Sequence, residues 1–154
     1  MKESAAGHNL VTEHTSVRQV RSGRLAWGPP IAWMALIFSL SAQSDPGSLA
    51  PVTFEGDHAL AHLWMYFVLG ALLWRAASAS SNRSLRSRPW SWASAIGLAY
   101  GIADELHQSL VPGRTASVGD VVLDGIGVAL GVAAAAVVAA WYATRERRDT
   151  GTTP

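Results

Sequence analysis

The sequence predicts an all-α membrane protein with four transmembrane helices, cytoplasmic termini and short outward loops. Apolar residues make up 49% of the 154 residues and charged residues only 15%, whereas soluble proteins average about 25% charged residues. Four apolar stretches each approach the ~20 residues that a helix needs to cross a bilayer. Basic residues are concentrated in alternate connecting segments. The length fits a single domain.

The apolar stretches cover residues 25–42, 58–79, 89–108 and 118–144. Pro29 and Pro30 fall in the first turns of the first stretch, where a missing N–H costs a helix least. A signal peptide is disfavoured, because about two dozen mostly polar residues precede this stretch and three more apolar stretches follow it. A soluble four-helix bundle is disfavoured too, because the second and fourth stretches have almost no polar face.

The distribution of Lys and Arg predicts the orientation, since cytoplasmic loops carry an excess of both residues. Of the 12 basic residues, all except Arg114 lie before residue 25, between residues 75 and 88, or after residue 144. We therefore predict a multi-pass protein of the plasma membrane with both termini in the cytoplasm. Residues 1–24 are predicted as a disordered tail, residues 25–144 as the transmembrane domain and residues 145–154 as a second tail. The Ser- and Arg-rich connector before Pro89 is predicted to be flexible.

Composition also limits the partners. The chain has no Cys, which excludes disulfides and thiol chemistry, and its net charge of +1 argues against nucleic-acid binding. Membrane lipids are the expected partners, and no cofactor is predicted. Homo-oligomerisation is left open.

Polar residues of all four stretches are predicted to converge at the outer membrane boundary. In the third stretch Gly97, Gly101, Asp104 and Gln108 share one helical stripe, and in the fourth Asp120, Asp124, Gly127 and Gly131 have the same spacing. We expect these two faces to meet through their glycines and to open a polar pocket outward. A third stripe, on the second stretch, is predicted to complete the pocket with His62, Tyr66 and Gly70. The first stretch brings Ser39, Ser41 and Gln43 to the same level.

Several of these polar residues also have a simpler interpretation. Asp120 is placed where the helix dipole favours an acidic residue, and solvation in the headgroup region would equally explain Glu105 and His107. Asp124 lies inside the apolar stretch, where carboxylates are costly and usually functional. Arg114, presented by a Pro112–Gly113 turn, is either a salt-bridge partner for the acidic residues or a contact for a lipid phosphate.

The segment "GLAYGIADELHQSLVPGRTASVGDVVLDGIGVALG" resembles the VanZ-like family of small membrane proteins. "FSLSAQ" and "HLWMYFVLG" are similar to motifs at the end of that family's first helix and in its second helix, so the resemblance covers about residues 27–140. Three positions depart from the family pattern: Ala59 replaces a Lys, Leu110 a Phe and Asp124 an Asn. The matching residues are Phe38, Ser39, Ser41, Gln43, His62, Tyr66, Gly70, Asp104, Glu105, Gln108, Pro112, Gly113, Arg114, Asp120 and Gly127.

The resemblance implies a protein of the cell envelope, connected with resistance to teicoplanin-type lipoglycopeptides. Our first hypothesis is a pocket that binds a lipid headgroup, a lipid-linked envelope precursor or a lipoglycopeptide. Its binding residues would be Arg114, Gln108, Asp120, Ser39, Ser41, Gln43 and Tyr66.

Two further hypotheses remain. In the first, an intramembrane enzyme uses Asp104, Glu105, His62 and Asp124 for acid–base chemistry on a lipid-linked substrate. In the second, the protein is a small transporter or proton relay, which the apolar inner half of the third and fourth stretches disfavours. His58 and His62 have a spacing that could hold a metal, but such a pair is more often interfacial. We therefore predict no metal.

Overall fold

The computed structural model describes residues 25–44, 57–149 and 151, and the elements within them are helices. No strand occurs in these residues, so the predicted all-α class is confirmed. The predicted N-terminal tail and most of the first outward loop lie outside the described residues, as does the side chain of His58. The helices are α1 (Gly28–Ser41), α2 (Asp57–Ser78), α3 (Arg83–Ser87), α4 (Pro89–Gln108) and α5 (Val118–Asp149).

Two of these helices are long and apolar enough to cross a membrane: α2 over Ala59–Ser78 and α5 over its full 32 residues. α1 is apolar but has only 14 residues, which at ~1.5 Å each give roughly 21 Å against a hydrocarbon core of about 30 Å. α4 has the necessary 20 residues but ends in a polar segment. Large apolar side chains are exposed along α1, α2 and α5, including Ile31, Leu60 and Val137. Two spans suggest a membrane protein, and the four-span topology and its orientation stay predictions.

Two segments are more regular than the sequence predicts. α5 continues five residues past the expected end at residue 144, to Asp149. Arg and Glu favour this continuation because they are good helix formers, and the Arg145 guanidinium lies 5.4 Å from the centre of the Trp141 ring. The connector before α4 forms the short helix α3, whose first turn is capped by Asn82 accepting a hydrogen bond from Ser84 N at 2.9 Å.

α2 is the central helix, and its main neighbour is α5 rather than α4. The buried core joins Tyr66, Leu69 and Leu73 of α2 to Val128 and Val132 of α5. α4 packs against both helices, whereas α1 lies against α2 and α4 with far less contact. The site described below lies between α1 and these three helices.

The glycine stripe of α5 faces α2, and this corrects the expectation that the glycines of α4 and α5 face each other. A Cβ added at Gly127 would lie 2.6 Å from the carbonyl oxygen of Leu63 in α2. A Cβ added at Gly97 in α4 would instead meet the Val128 side chain of α5 at 2.7 Å. Helical spacing defines which residues share a face, but it does not define which neighbour that face contacts. The backbones of α2 and α5 therefore approach most closely, and α4 rests on α5 side chains.

α1 is held to the core by two hydrogen bonds from aromatic side chains. Trp33 Nε1 donates to the carbonyl oxygen of Met65 in α2 at 2.9 Å. The Tyr100 hydroxyl of α4 donates to the carbonyl oxygen of Met34 at 2.5 Å. Both acceptors are backbone carbonyls, so the two bonds fix the position of α1 along the core at the level of the site.

Candidate functional site

Asp104, near the C-terminal end of α4, is a buried acceptor for three side chains. Its Oδ2 accepts hydrogen bonds from Ser41 Oγ of α1 at 2.8 Å, Gln108 Nε2 at 3.1 Å and the Tyr66 hydroxyl of α2 at 3.4 Å. Asp104 is only 3% exposed and Tyr66 1%. One carboxylate therefore links three helices, which explains the shared stripe of Asp104 and Gln108.

Gln108 extends this network to the loop between α4 and α5. Its Nε2 donates to Asp104, and its Oε1 accepts a hydrogen bond from Arg114 Nη2. Gly113 has φ +84°, a conformation that glycine adopts without steric cost. The turn that it permits returns the chain over the end of α4. Arg114 is thereby held beside the buried amide, not directed into solvent.

A second buried carboxylate, Asp124 of α5, pairs with His62 of α2. The distance between His62 Nδ1 and Asp124 Oδ1 is 2.9 Å, and Asp124 is fully buried. Gly101 of α4 makes room for this carboxylate, since an added Cβ there would lie 3.1 Å from Asp124 Oδ2. A carboxylate beside one ring nitrogen orients the imidazole and fixes its tautomer.

Glu105 connects α4 to the beginning of α5. Its Oε2 accepts a hydrogen bond from the backbone N–H of Ser117 at 2.9 Å, just before α5 begins. Ser117 Oγ in turn accepts from Asp120 N at 3.3 Å, as the first residue of a capping box does. His62, Glu105 and Asp120 each place one ligand-type atom within 4.8 Å of the other two.

Three carboxylate oxygens at this end of the bundle are buried without a hydrogen-bond partner among the described residues. They are Asp104 Oδ1, Glu105 Oε1 and Asp124 Oδ2. An unpaired buried acceptor costs about 1–3 kcal/mol, and more when it is charged. A cluster of such atoms is typical of sites that bind a ligand or an ion.

A cavity of about 210 Å³ lies between α1 and α2, beside these carboxylates. Its walls are apolar, and its polar end joins α1, α2, α4 and the loop that carries Arg114. The lining residues are Ile37, Leu40, Ser41, Ala61, His62, Met65, Tyr66, Asp104 and Arg114. The cavity thus combines apolar walls with charged and hydrogen-bonding groups.

The predicted site residues fall into two groups. Ser39 and Gln43 lie apart from the network: Ser39 is exposed and donates to Ala35 O at 2.8 Å, and Gln43 Nε2 donates to Ser39 O at 3.5 Å. His58 cannot be placed because its side chain lies outside the described residues. The residues brought together are Ser41, His62, Tyr66, Asp104, Glu105, Gln108, Arg114, Asp120 and Asp124.

Ser117 is part of the network and was not predicted. The signal for it is present in "SVGD", residues 117–120, because a Ser followed three residues later by an acidic residue marks a helix start. What the sequence does not reveal is that Glu105, from a different helix, accepts the Ser117 N–H.

The structure is an apolar helical bundle with buried carboxylates at one end. It therefore belongs to the class of small helical proteins that have a polar site inside the bundle. Two of its helices are long and apolar enough to cross a bilayer, which suggests that the protein lies in a membrane. The sequence profile of the VanZ/LLP1 family matches residues 27–139, and the chain belongs to that family. This confirms the resemblance, and the matched range contains the whole site. No curated protein and no solved structure matches the chain closely enough to be counted as similar.

Proposed function

We propose that this protein binds the phosphate-bearing headgroup of an envelope lipid in the cavity between α1 and α2. The observation that supports this most is the combination of apolar walls with Arg114 at the polar end. An acyl chain needs the apolar walls, and a phosphate needs the guanidinium. The protein would lie in the plasma membrane with both termini in the cytoplasm and the cavity facing outward, as the distribution of basic residues predicts.

The cavity volume favours a headgroup over a whole lipoglycopeptide. Pockets for drug-sized ligands measure about 300–1,000 Å³, whereas this cavity holds about 210 Å³. A phosphate and the first groups attached to it fit such a space, and the lipid tails would lie along the exposed apolar faces. We propose that any contribution to teicoplanin resistance acts through a lipid-linked envelope precursor rather than through capture of the antibiotic.

Arg114 is suited to this role because a guanidinium carries five N–H donors in a planar fork that matches a phosphate. Its Nη2 donates to Gln108, which fixes the direction of the group while other donors serve a ligand. Of the chain's 12 basic residues, Arg114 is the one between the third and fourth apolar stretches.

The pairing of His62 with Asp124 favours a second candidate, an enzyme that acts on the same lipid. A His oriented by a buried carboxylate is the arrangement that general-base catalysis uses, and it lies at the cavity. His62 would take a proton from a water whose oxygen attacks the headgroup phosphorus, and would return that proton to the alcohol released when the P–O bond breaks. Asp124 would orient the His62 ring, and Asp104 and Glu105 would be the other acid–base groups.

Native mass spectrometry of the purified protein with an anionic phospholipid tests both candidates. We expect one bound lipid per chain in the wild type and at least tenfold weaker binding in Arg114→Ala, because the phosphate contact is lost. Arg145→Ala is the matched control, since Arg145 lies over Trp141 near the far end of α5, and it should bind as the wild type does.

The mass of the lipid recovered after incubation separates the two candidates. An unchanged mass supports binding alone. A product formed by the wild type and not by His62→Asn supports the enzyme. Equal binding by the Arg114→Ala and Arg145→Ala variants would contradict the proposed phosphate contact.

A further inference from the structure

We propose that His62, Glu105 and Asp120 form a binding site for a divalent metal ion. The three residues come from α2, α4 and α5, and their ligand-type atoms lie within 4.8 Å of one another. Ligands at about 2.0–2.2 Å from a metal lie closer together than this, so binding would draw the side chains inward by rotation. No other group of three His, Cys or acidic residues with this proximity occurs in the described part of the chain.

The hydrogen bonds of His62 support a ligand role. Because Nδ1 lies 2.9 Å from a buried carboxylate oxygen of Asp124, a metal on this ring would be held through Nε2. Metal-binding His residues usually donate their other N–H to a carboxylate or carbonyl, which fixes the ring and raises its basicity. Asp124 would therefore act as the orienting carboxylate of the ligand and not as a ligand itself.

Glu105 provides an independent observation that points to a ligand. The residue is 4% exposed, and its Oε1 is buried with no hydrogen-bond partner among the described residues. Its other oxygen is fixed by the Ser117 N–H at 2.9 Å. A carboxylate held by one oxygen, with the second buried and unpaired, is placed to bind a cation.

The hydrogen bond from the Ser117 N–H to Glu105 leaves the Asp120 carboxylate available to bind a metal. In a capping box the acidic residue three positions after the first one accepts the N–H of that first residue. Here the acceptor of the Ser117 N–H is Glu105 Oε2. The Asp120 carboxylate is therefore not needed for the cap and can serve the metal, although Asp120 stands at the capping position.

The charges of the site favour a cation. Among the described residues of the site, only two groups can carry positive charge, the guanidinium of Arg114 and the imidazole of His62. The same residues include four carboxylates, those of Asp104, Glu105, Asp120 and Asp124. A divalent ion offsets this excess of negative charge, which burial makes costly. One imidazole and two carboxylates suit Zn²⁺ or Mn²⁺, and three protein ligands leave a coordination position for water or for a ligand oxygen.

Zinc binding by the purified protein, without added lipid and without a histidine tag, tests this site. We expect the wild type to retain about one equivalent of Zn²⁺ after dialysis, with the Co²⁺-substituted protein showing visible absorption bands of bound cobalt. Glu105→Gln and Asp120→Asn should each weaken Zn²⁺ binding at least tenfold. His107→Ala is the matched control, because His107 lies on the same helix as Glu105 but stacks on Phe38 instead, and it should bind as the wild type does.

Melting temperatures measured with and without Zn²⁺ distinguish loss of folding from loss of metal binding. A Gln at position 105 can still accept the Ser117 N–H, so the melting temperature of metal-free Glu105→Gln should stay near that of the wild type. Zn²⁺ should raise the melting temperature of the wild type and of His107→Ala, but not that of Glu105→Gln. A wild type that retains no Zn²⁺, or a folded Glu105→Gln variant that retains it fully, would overturn the proposal. Because no lipid is present, either result leaves the lipid-binding proposal untouched.

Discussion

Replacing Gly127 with alanine should destabilise the protein by about 1–3 kcal/mol, the usual cost of overpacking a tight contact. The new Cβ would lie 2.6 Å from the Leu63 carbonyl oxygen and 3.1 Å from the amide nitrogen of Phe67. Both atoms belong to the α2 backbone, which cannot rotate aside as a side chain can. The two central helices would have to separate, and the His62–Asp124 pair spans this same interface. Reversible unfolding in detergent micelles measures the loss.

Gly125→Ala is the matched control, two residues away on the same helix. A Cβ there would lie 3.6 Å from Leu98 Cδ1, which is an ordinary contact. Alanine is favoured over glycine within a helix by up to ~1 kcal/mol. We therefore expect this variant to be neutral or slightly more stable. Equal destabilisation at both positions would contradict the close backbone approach of α2 and α5.

Asp104→Ala should have a comparably large effect, because it breaks the polar network. We expect it to lower the free energy of unfolding by about 2–4 kcal/mol. The change removes the acceptor of three hydrogen bonds and leaves the buried hydroxyls of Ser41 and Tyr66 without one, while Gln108 Nε2 keeps its 3.4 Å contact with Ser41 Oγ. Each unpaired buried donor costs about 1–3 kcal/mol, and repair by water recovers part of the sum. Asp104→Asn retains one acceptor oxygen in nearly the same shape, so its loss should be smaller. Unfolding midpoints of the two variants, measured side by side, give the comparison.

Asp149→Ala serves as the control for Asp104→Ala, because it removes a carboxylate at the exposed end of α5. Its unfolding free energy should stay within ~0.5 kcal/mol of the wild type, as exposed substitutions usually do. If Asp104→Ala were as stable as this control, the three hydrogen bonds to Asp104 would not hold the helices together.

Much of the helical framework follows from local sequence. Pro89 is favoured at the start of α4, and the predicted 89–108 stretch coincides with the helix Pro89–Gln108. The stripes of α2 and α4 also place His62 with Tyr66, and Asp104 with Gln108. These features depend only on helical periodicity and on local chemistry, which a single sequence carries. The choice of α2 rather than α4 as the partner of the α5 glycines depends on how all the helices pack at once, and no local pattern encodes it.

Ser39 and Ser41 illustrate a different limit. The sequence places both at the same depth in the membrane. Successive residues of a helix are about 100° apart around its axis, so side chains separated by two positions point in nearly opposite directions. Only one of them can face the core. Ser41 does, donating to Asp104, while Ser39 is exposed and bonds to its own helix. Depth alone predicted both residues for the site, and the rotation of α1 about its axis selects one of them.

Photolabelling with a phospholipid that carries a reactive group beside its phosphate tests lipid binding in the cavity most directly. The wild-type protein is irradiated with this lipid in detergent micelles, and the labelled peptides are identified by mass spectrometry. We predict labels on the cavity walls, at Ile37, Leu40 or Met65, that an excess of unlabelled phospholipid suppresses. Labels confined to exposed apolar positions such as Val137 and Val138, and insensitive to competing lipid, would contradict headgroup binding in this cavity.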